Sequence, residues 1–158
     1  MNTKRVLIFI SFLALTACIG PDLTGAQQLG QGLSQSAVQL QQSGGQLKIV
    51  ALTDNAFQGK SSHLTPQMTY TLAEVTHTLK TYPDLRVKVT GYTDNRGNPK
   101  RNQLVSLRRA MMVADYFRNH GIDSARIATA GKGQEYPIAD NASAQGRAQN
   151  RRIEIQLF

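Results

Sequence analysis

The sequence predicts an α+β fold: a two-layer sandwich in which a mixed β-α-β-α-β-β sheet carries two helices on one face. Three observations lead there. Met68, Leu72, Val75 and Leu79 recur at i, i+4, i+7 and i+11, and Val105, Met112, Val113, Tyr116 and Phe117 share one face at about 100° per residue, so two segments read as amphipathic helices. Val87 and Val89 alternate with Arg86 and Lys88, and Ile153, Ile155 and Leu157 alternate with polar residues, so two others read as half-buried strands. At 158 residues and 41% hydrophobic, the chain has material for one core plus extensions.

The elements follow in order. Asn2-Thr3-Lys4-Arg5 is a short positive segment, and "VLIFISFLAL" (6–15) is a ten-residue apolar run. A spanning helix needs about 20 residues, so this run has the length of a signal peptide instead. It ends in "LTAC" (15–18), which resembles the lipobox of bacterial lipoproteins. That resemblance implies cleavage after residue 17 and acylation of Cys18. Removing residues 1–17 takes away Lys4 and Arg5 and lowers the formal charge of +8 by two. Cys18 is the sole cysteine, so no disulfide framework exists. Several acyl chains give stable anchoring where one binds only marginally. Residue 19 is Ile rather than the Asp that resembles an inner-membrane retention signal, which favours the outer membrane.

Residues 19–46 are rich in Gln, Gly and Ser, and together with Cys18 they read as a lipidated tether, 18–46. Leu29, Leu33, Ala37 and Leu40 also fit helical spacing, which leaves a short helix or a partner contact open. Fully extended, the tether reaches roughly 90 Å. The folded domain is expected at 47–158. "LKIVAL" (47–52) opens it as a strand. Thr65 and Pro66 supply an N-cap and a first helical residue, and Pro83 ends that helix. "LRVKVTGYT" (85–93) is the next strand. Pro99 and Asn102 introduce a helix over about 103–119, closed by Gly121. "ARIATAG" and "RIEIQLF" are the last strands.

The positive charge admits nucleic acid, anionic lipid or an acidic polymer as partner, but the basic residues are dispersed. Nucleic-acid binding calls for a basic stripe with stacking aromatics, and export argues against it. His63, His77 and His120 lack paired metal-ligand spacing, no serine nucleophile elbow occurs, and "GKGQ" (131–134) reads as a tight turn rather than a phosphate loop. The expectation is therefore a non-enzyme without metal or cofactor. One feature stands apart from packing: Arg109 falls in the middle of the apolar stripe of the second helix, fifteen residues after Asp94.

Residues 86–155 resemble the OmpA C-terminal (OmpA/Pal/MotB-like) peptidoglycan-binding domain. The carriers are "GYTD" (91–94), "NQLVSLRRA" (102–110), "GIDSARIATAGKG" (121–133), "PIADN" (137–141) and "GRAQNRRIEI" (146–155). With the lipobox, the whole chain is similar to Pal-type outer-membrane lipoproteins. The resemblance implies binding of meso-diaminopimelate on peptidoglycan stem peptides. Asp94 then corresponds to the acceptor of the ligand ammonium and Arg109 to the donor for its carboxylate, with Thr93 and Asn102 lining the same pocket. The residues alone leave an internal Asp94–Arg109 salt bridge open.

Some positions depart from the family. Phe57 is followed by Gln58 and Gly59 where an acid is usual, Lys132 replaces a Tyr, and Val105 a Leu. Arg147, Arg151 and Arg152 match "GRxxNRR" and are expected to tie the last loop to the last strand, with Arg147 and Arg152 as secondary candidates for glycan contact. The implied role is a lipid-anchored tether between outer membrane and wall, facing the periplasm. The alternative is a subunit of an envelope-spanning complex, a secretion system or a Tol-Pal-like assembly, in which the domain mainly docks on protein partners.

Overall fold

A computed structural model of the chain describes residues 38–43, 46–58 and 63–158. Among the described residues, five strands form one mixed sheet: β1 (Val38–Ser43), β2 (Gln46–Leu52), β3 (Val87–Gly91), β4 (Ile127–Gly131) and β5 (Arg152–Leu157), in the order β1-β2-β5-β3-β4. Only β3 and β4 run parallel; the other neighbours are antiparallel. The helices are α1 (Thr53–Ala56), α2 (Pro66–Thr81), α3 (Pro99–Asn119) and α4 (Ala144–Asn150), with a 3-10 turn at Ser124–Arg126. The parallel pair needs a crossover, and α3 supplies it.

The six expected elements occur in the expected order, and the two long helices pack on one face of the sheet. Leu47, Ile49 and Ala51 of β2, Val87 and Val89 of β3, and Ile153, Ile155 and Leu157 of β5 all join one core with Met68, Leu72, Val75 and Leu79 of α2 and Val113 and Phe117 of α3. Alternation sends Lys48, Lys88, Glu154 and Gln156 to the other face, where Lys48 and Glu154 meet at 3.5 Å.

The structure corrects the sequence reading in three places. First, β1 lies inside the 18–46 segment expected as a tether. Its backbone pairs with β2 from Val38 opposite Ala51 to Ser43 opposite Gln46, so ordered pairing begins nine residues before Leu47. Second, α3 starts at Pro99 rather than Gln103. Asn98 is its cap, with its side chain accepting from the backbone N–H of Lys100 (2.9 Å) and Arg101 (3.2 Å), and Pro99 fills the first helical position, where a missing N–H costs nothing. Third, the buried face of α3 is centred on Asn102, Ser106, Ala110, Val113 and Phe117. Arg109 is half-buried at the border of that face rather than in its middle, while Arg108 is exposed.

Thr65 caps α2 as expected, accepting from the Met68 N–H at 3.2 Å. Gly121, at φ +86, follows the end of α3 in the left-handed conformation that favours glycine. The expected signal peptide, Cys18 and most of the expected tether lie outside the described residues. Among the described residues, no helix is long and apolar enough to cross a membrane.

Candidate functional site

The sheet order decides which residues meet. β5 lies between β2 and β3, with Leu52 opposite Arg152 and Gly91 opposite Ile153. The ends of β2 and β3 therefore converge on the start of β5. Two backbone bonds lock this end: Thr53 N–H donates to Arg151 O (2.8 Å) and Tyr92 N–H to Arg152 O (2.9 Å). Asp54, Asp94 and Arg151, far apart in sequence, become neighbours just beyond the strands.

Arg151 bridges the two acids. Its Nη2 and Nε donate to Asp54 Oδ2 and Oδ1 at 2.5 and 3.2 Å, and its Nη1 donates to Asp94 Oδ2 at 3.0 Å. The hydrogen bond to Asp54, followed by the one to Asp94, holds this guanidinium well above its usual pKa against the opposing effect of burial. Asp94 Oδ1 accepts from the Arg96 N–H at 3.1 Å. A carboxylate offers about four lone-pair positions, so Asp94 keeps acceptor capacity.

Arg109 completes the group without closing onto it. Among the described residues its side chain makes no hydrogen bond or ion pair, so the internal Asp94–Arg109 salt bridge that the sequence left open is not formed. Burial pushes its pKa down; Asp54 and, more weakly, Asp94 counter this, while Arg151 adds to it. An arginine remains charged under such shifts. The site thus holds two acids and two cations, and Arg109 is the cation whose planar fork is unspent.

Thr93 and Asn102 brace the loop under Asp94. Thr93 N–H donates to Gly133 O (2.7 Å) and its hydroxyl to Asp94 O (2.9 Å). The buried Asn102 amide donates to Arg96 O (3.0 Å), Gln134 Oε1 (3.2 Å) and Asp94 O (3.4 Å). Both side chains are committed to holding the acid in place. Asn102→Ala leaves these acceptors short of a donor, and a stability loss of about 1–3 kcal/mol is expected in urea unfolding.

The remaining candidates sit elsewhere. Arg147 Nη1 donates to Asn141 O and Ala142 O, both at 2.8 Å, tying down the loop before α4. Arg152 is 2% exposed, stacks on the Tyr92 ring at 3.7 Å, and donates to Glu154 Oε1 (2.8 Å) and Tyr136 O (3.2 Å). Arg147 thus ties its loop to α4 rather than to the last strand, Arg152 ties the Tyr136 loop to β5, and neither joins Asp94 and Arg109. Gln58 Nε2 donates within its own loop to Leu64 O at 3.4 Å, and Lys132 Nζ lies 5.4 Å from the Tyr136 ring centre. Among the described residues no His, Cys, Asp and Glu group is arranged to hold a metal.

Sequence reasoning missed Asp54 and placed Arg151 with the loop ties. Strand alternation orients Arg152 but says nothing of Arg151, which stands outside the strand. Only the β2-β5-β3 order brings residue 54 beside residue 94.

Residues 56–151 match the OmpA family. The chain is 39% identical over 122 residues to the probable lipoprotein YiaD of Escherichia coli K12, an alignment covering 77% of this chain and 56% of YiaD. It thus spans little more than half the length of that relative. It is 33% identical over 163 residues to the outer-membrane lipoprotein YfiB of Pseudomonas aeruginosa, covering 98% of this chain and 94% of YfiB. Among solved structures, the cell wall anchor of the T6SS from Pseudomonas aeruginosa superposes with a TM-score of 0.72 at 29% identity, covering 84% of this chain and 95% of that one. A match over more than half its length, together with the superposable fold, shows that the chain belongs to the OmpA family.

Proposed function

We propose that the domain binds peptidoglycan non-covalently by clamping the zwitterionic end of meso-diaminopimelate on stem peptides. The carrying observation is Arg109: a half-buried guanidinium without a hydrogen-bonding partner among the described residues, in a cluster with Asp94. The ligand end has an ammonium and a carboxylate on one carbon. Asp94 accepts from the ammonium with its spare lone pairs, and Arg109 donates both arms of its fork to the carboxylate. Sedimentation with purified sacculi, and release by free meso-diaminopimelate but not by cadaverine, tests this. Cadaverine keeps both ammonium groups and lacks both carboxylates, so release by cadaverine at equal concentration counts against the clamp.

The same reading places the chain on the outer membrane through acylated Cys18, facing the periplasm, with the following segment giving reach to the wall. It is supported by the "LTAC" motif and by the near full-length similarity to YfiB. Cys18→Ser is expected to abolish fatty-acid incorporation and to shift the protein out of the outer-membrane fraction. Metabolic labelling with a fatty-acid probe reads this, and label on the variant refutes the site.

A second reading is favoured by the likeness to the T6SS cell wall anchor. Here the domain serves as a wall-binding subunit of an envelope-spanning complex. A stoichiometric set of proteins co-purifying in mild detergent supports the complex, and sacculus binding without such a set supports the simple anchor.

A further inference from the structure

We propose that Asp54 sets the ligand selectivity of this site by keeping Arg151 from saturating Asp94. The inference rests on the diaminopimelate reading and deepens it. Arg151 spends its side-on two-point edge, Nε with Nη2, on Asp54 at 3.2 and 2.5 Å, which fixes the plane of the guanidinium. Held in this orientation, Arg151 gives Asp94 one hydrogen bond, from Nη1. Asp94 thus keeps room for a second cation. Without Asp54, Arg151 is free to turn a two-point edge to Asp94, because planar fork-to-carboxylate pairing is the preferred geometry of this couple. Asp94 would then hold two bonds from Arg151 and one from the Arg96 N–H, and the ligand ammonium would face a neutralised acceptor.

Charge balance points the same way. Asp54, Asp94, Arg109 and Arg151 carry two charges of each sign, a neutral cluster suited to a neutral zwitterion. Asp54 is also the acid that most strongly steadies the charge on Arg109. Removing it leaves the cluster one charge positive, which suits a carboxylate without an ammonium. Asp54 comes from the segment leading into the first loop, where Gln58 and Gly59 stand in place of the acid expected there.

The test compares meso-diaminopimelate with pimelate, which has the same seven-carbon dicarboxylate chain and no ammonium. Binding of each is measured by calorimetry to wild type, Asp54→Asn and Arg151→Gln, with thermal melts confirming folding. Asp54→Asn is expected to weaken diaminopimelate and strengthen pimelate, each on the order of fivefold, the scale of an ion pair open to solvent on one side. Arg151→Gln, which frees Asp94 and makes the cluster negative, is expected to move the ratio the other way. A strut role for Asp54 would weaken both ligands by the same factor, and an unchanged ratio overturns the inference alone. Failure of wild type to bind either ligand overturns the diaminopimelate reading and the inference with it.

Discussion

Arg109→Ala and Asp94→Ala are each expected to cut sacculus binding by roughly thirtyfold or more while the domain stays folded by circular dichroism. The expected cost follows from leaving one charge of the ligand without its complement in a partly desolvated site, about 2–5 kcal/mol. Arg109 has no hydrogen bond or ion pair to lose among the described residues, so its removal should hardly lower stability. This separates it from a structural arginine such as Arg152, whose guanidinium is packed and bonded. Arg109→Lys should fail substantially as well, since a point charge cannot reproduce two parallel hydrogen bonds. Arg108→Ala, at an exposed position on the same helix, should bind as wild type. If folded Asp94→Ala and Arg109→Ala proteins sediment like wild type, the cluster is a structural salt-bridge group and the partner-docking reading leads.

Gly91→Ala should be the methyl addition that most disturbs the junction between β3 and α3. A Cβ at this position overlaps the carbonyl oxygen and carbon of Ser106, so the clash is with helix backbone and no side chain can swing aside. β3 and α3 must then separate. Overpacking costs typically 1–3 kcal/mol and occasionally more, and a rigid backbone neighbour argues for the upper end. Gly91 lies three residues before Asp94, and Ser106 three before Arg109. The same displacement therefore widens the gap between acid and cation. Urea unfolding should show a lower midpoint, and calorimetry should show weaker diaminopimelate binding even where the folded fraction is complete. A variant with unchanged midpoint and affinity would refute the close approach.

Much of this was legible in the sequence because periodicity reports burial directly. Met68, Leu72, Val75 and Leu79 repeat at helical spacing and are all buried, and Ile153, Ile155 and Leu157 alternate and line one face of β5. β1 was not legible. Val38-Gln39-Leu40-Gln41 alternates as a strand, but Leu33, Ala37 and Leu40 also fit a helix, and the surrounding Gln, Ser and Gly speak for neither. What decides is pairing with β2, which local sequence does not encode. The start of α3 was blurred because Asn98 and Asn102 are both plausible caps; Asn98 caps, while Asn102 points back into the loop. The site divides the same way. Asp94 and Arg109 stood out through motif and misplaced charge. Asp54 and Arg151 required the sheet order, since nothing along the chain says that residue 54 lies beside residue 151.

The register of β1 bears on how the domain would carry load. Val38 pairs with Ala51, so the chain enters the sheet at the same end where Asp94 and Arg109 lie. Under the proposed anchoring, force applied through the segment leading to Cys18 and resisted at the wall acts between two points at one end of the sheet. The line joining them runs across the strands, so the β1–β2 hydrogen bonds are pulled open singly, like a zipper, instead of being sheared together. β1 would therefore yield before the core. Its six residues, once peeled away, add roughly 20 Å of slack. An edge strand that gives way first would act as a mechanical fuse between two surfaces that shift relative to one another, leaving the binding end of the fold intact.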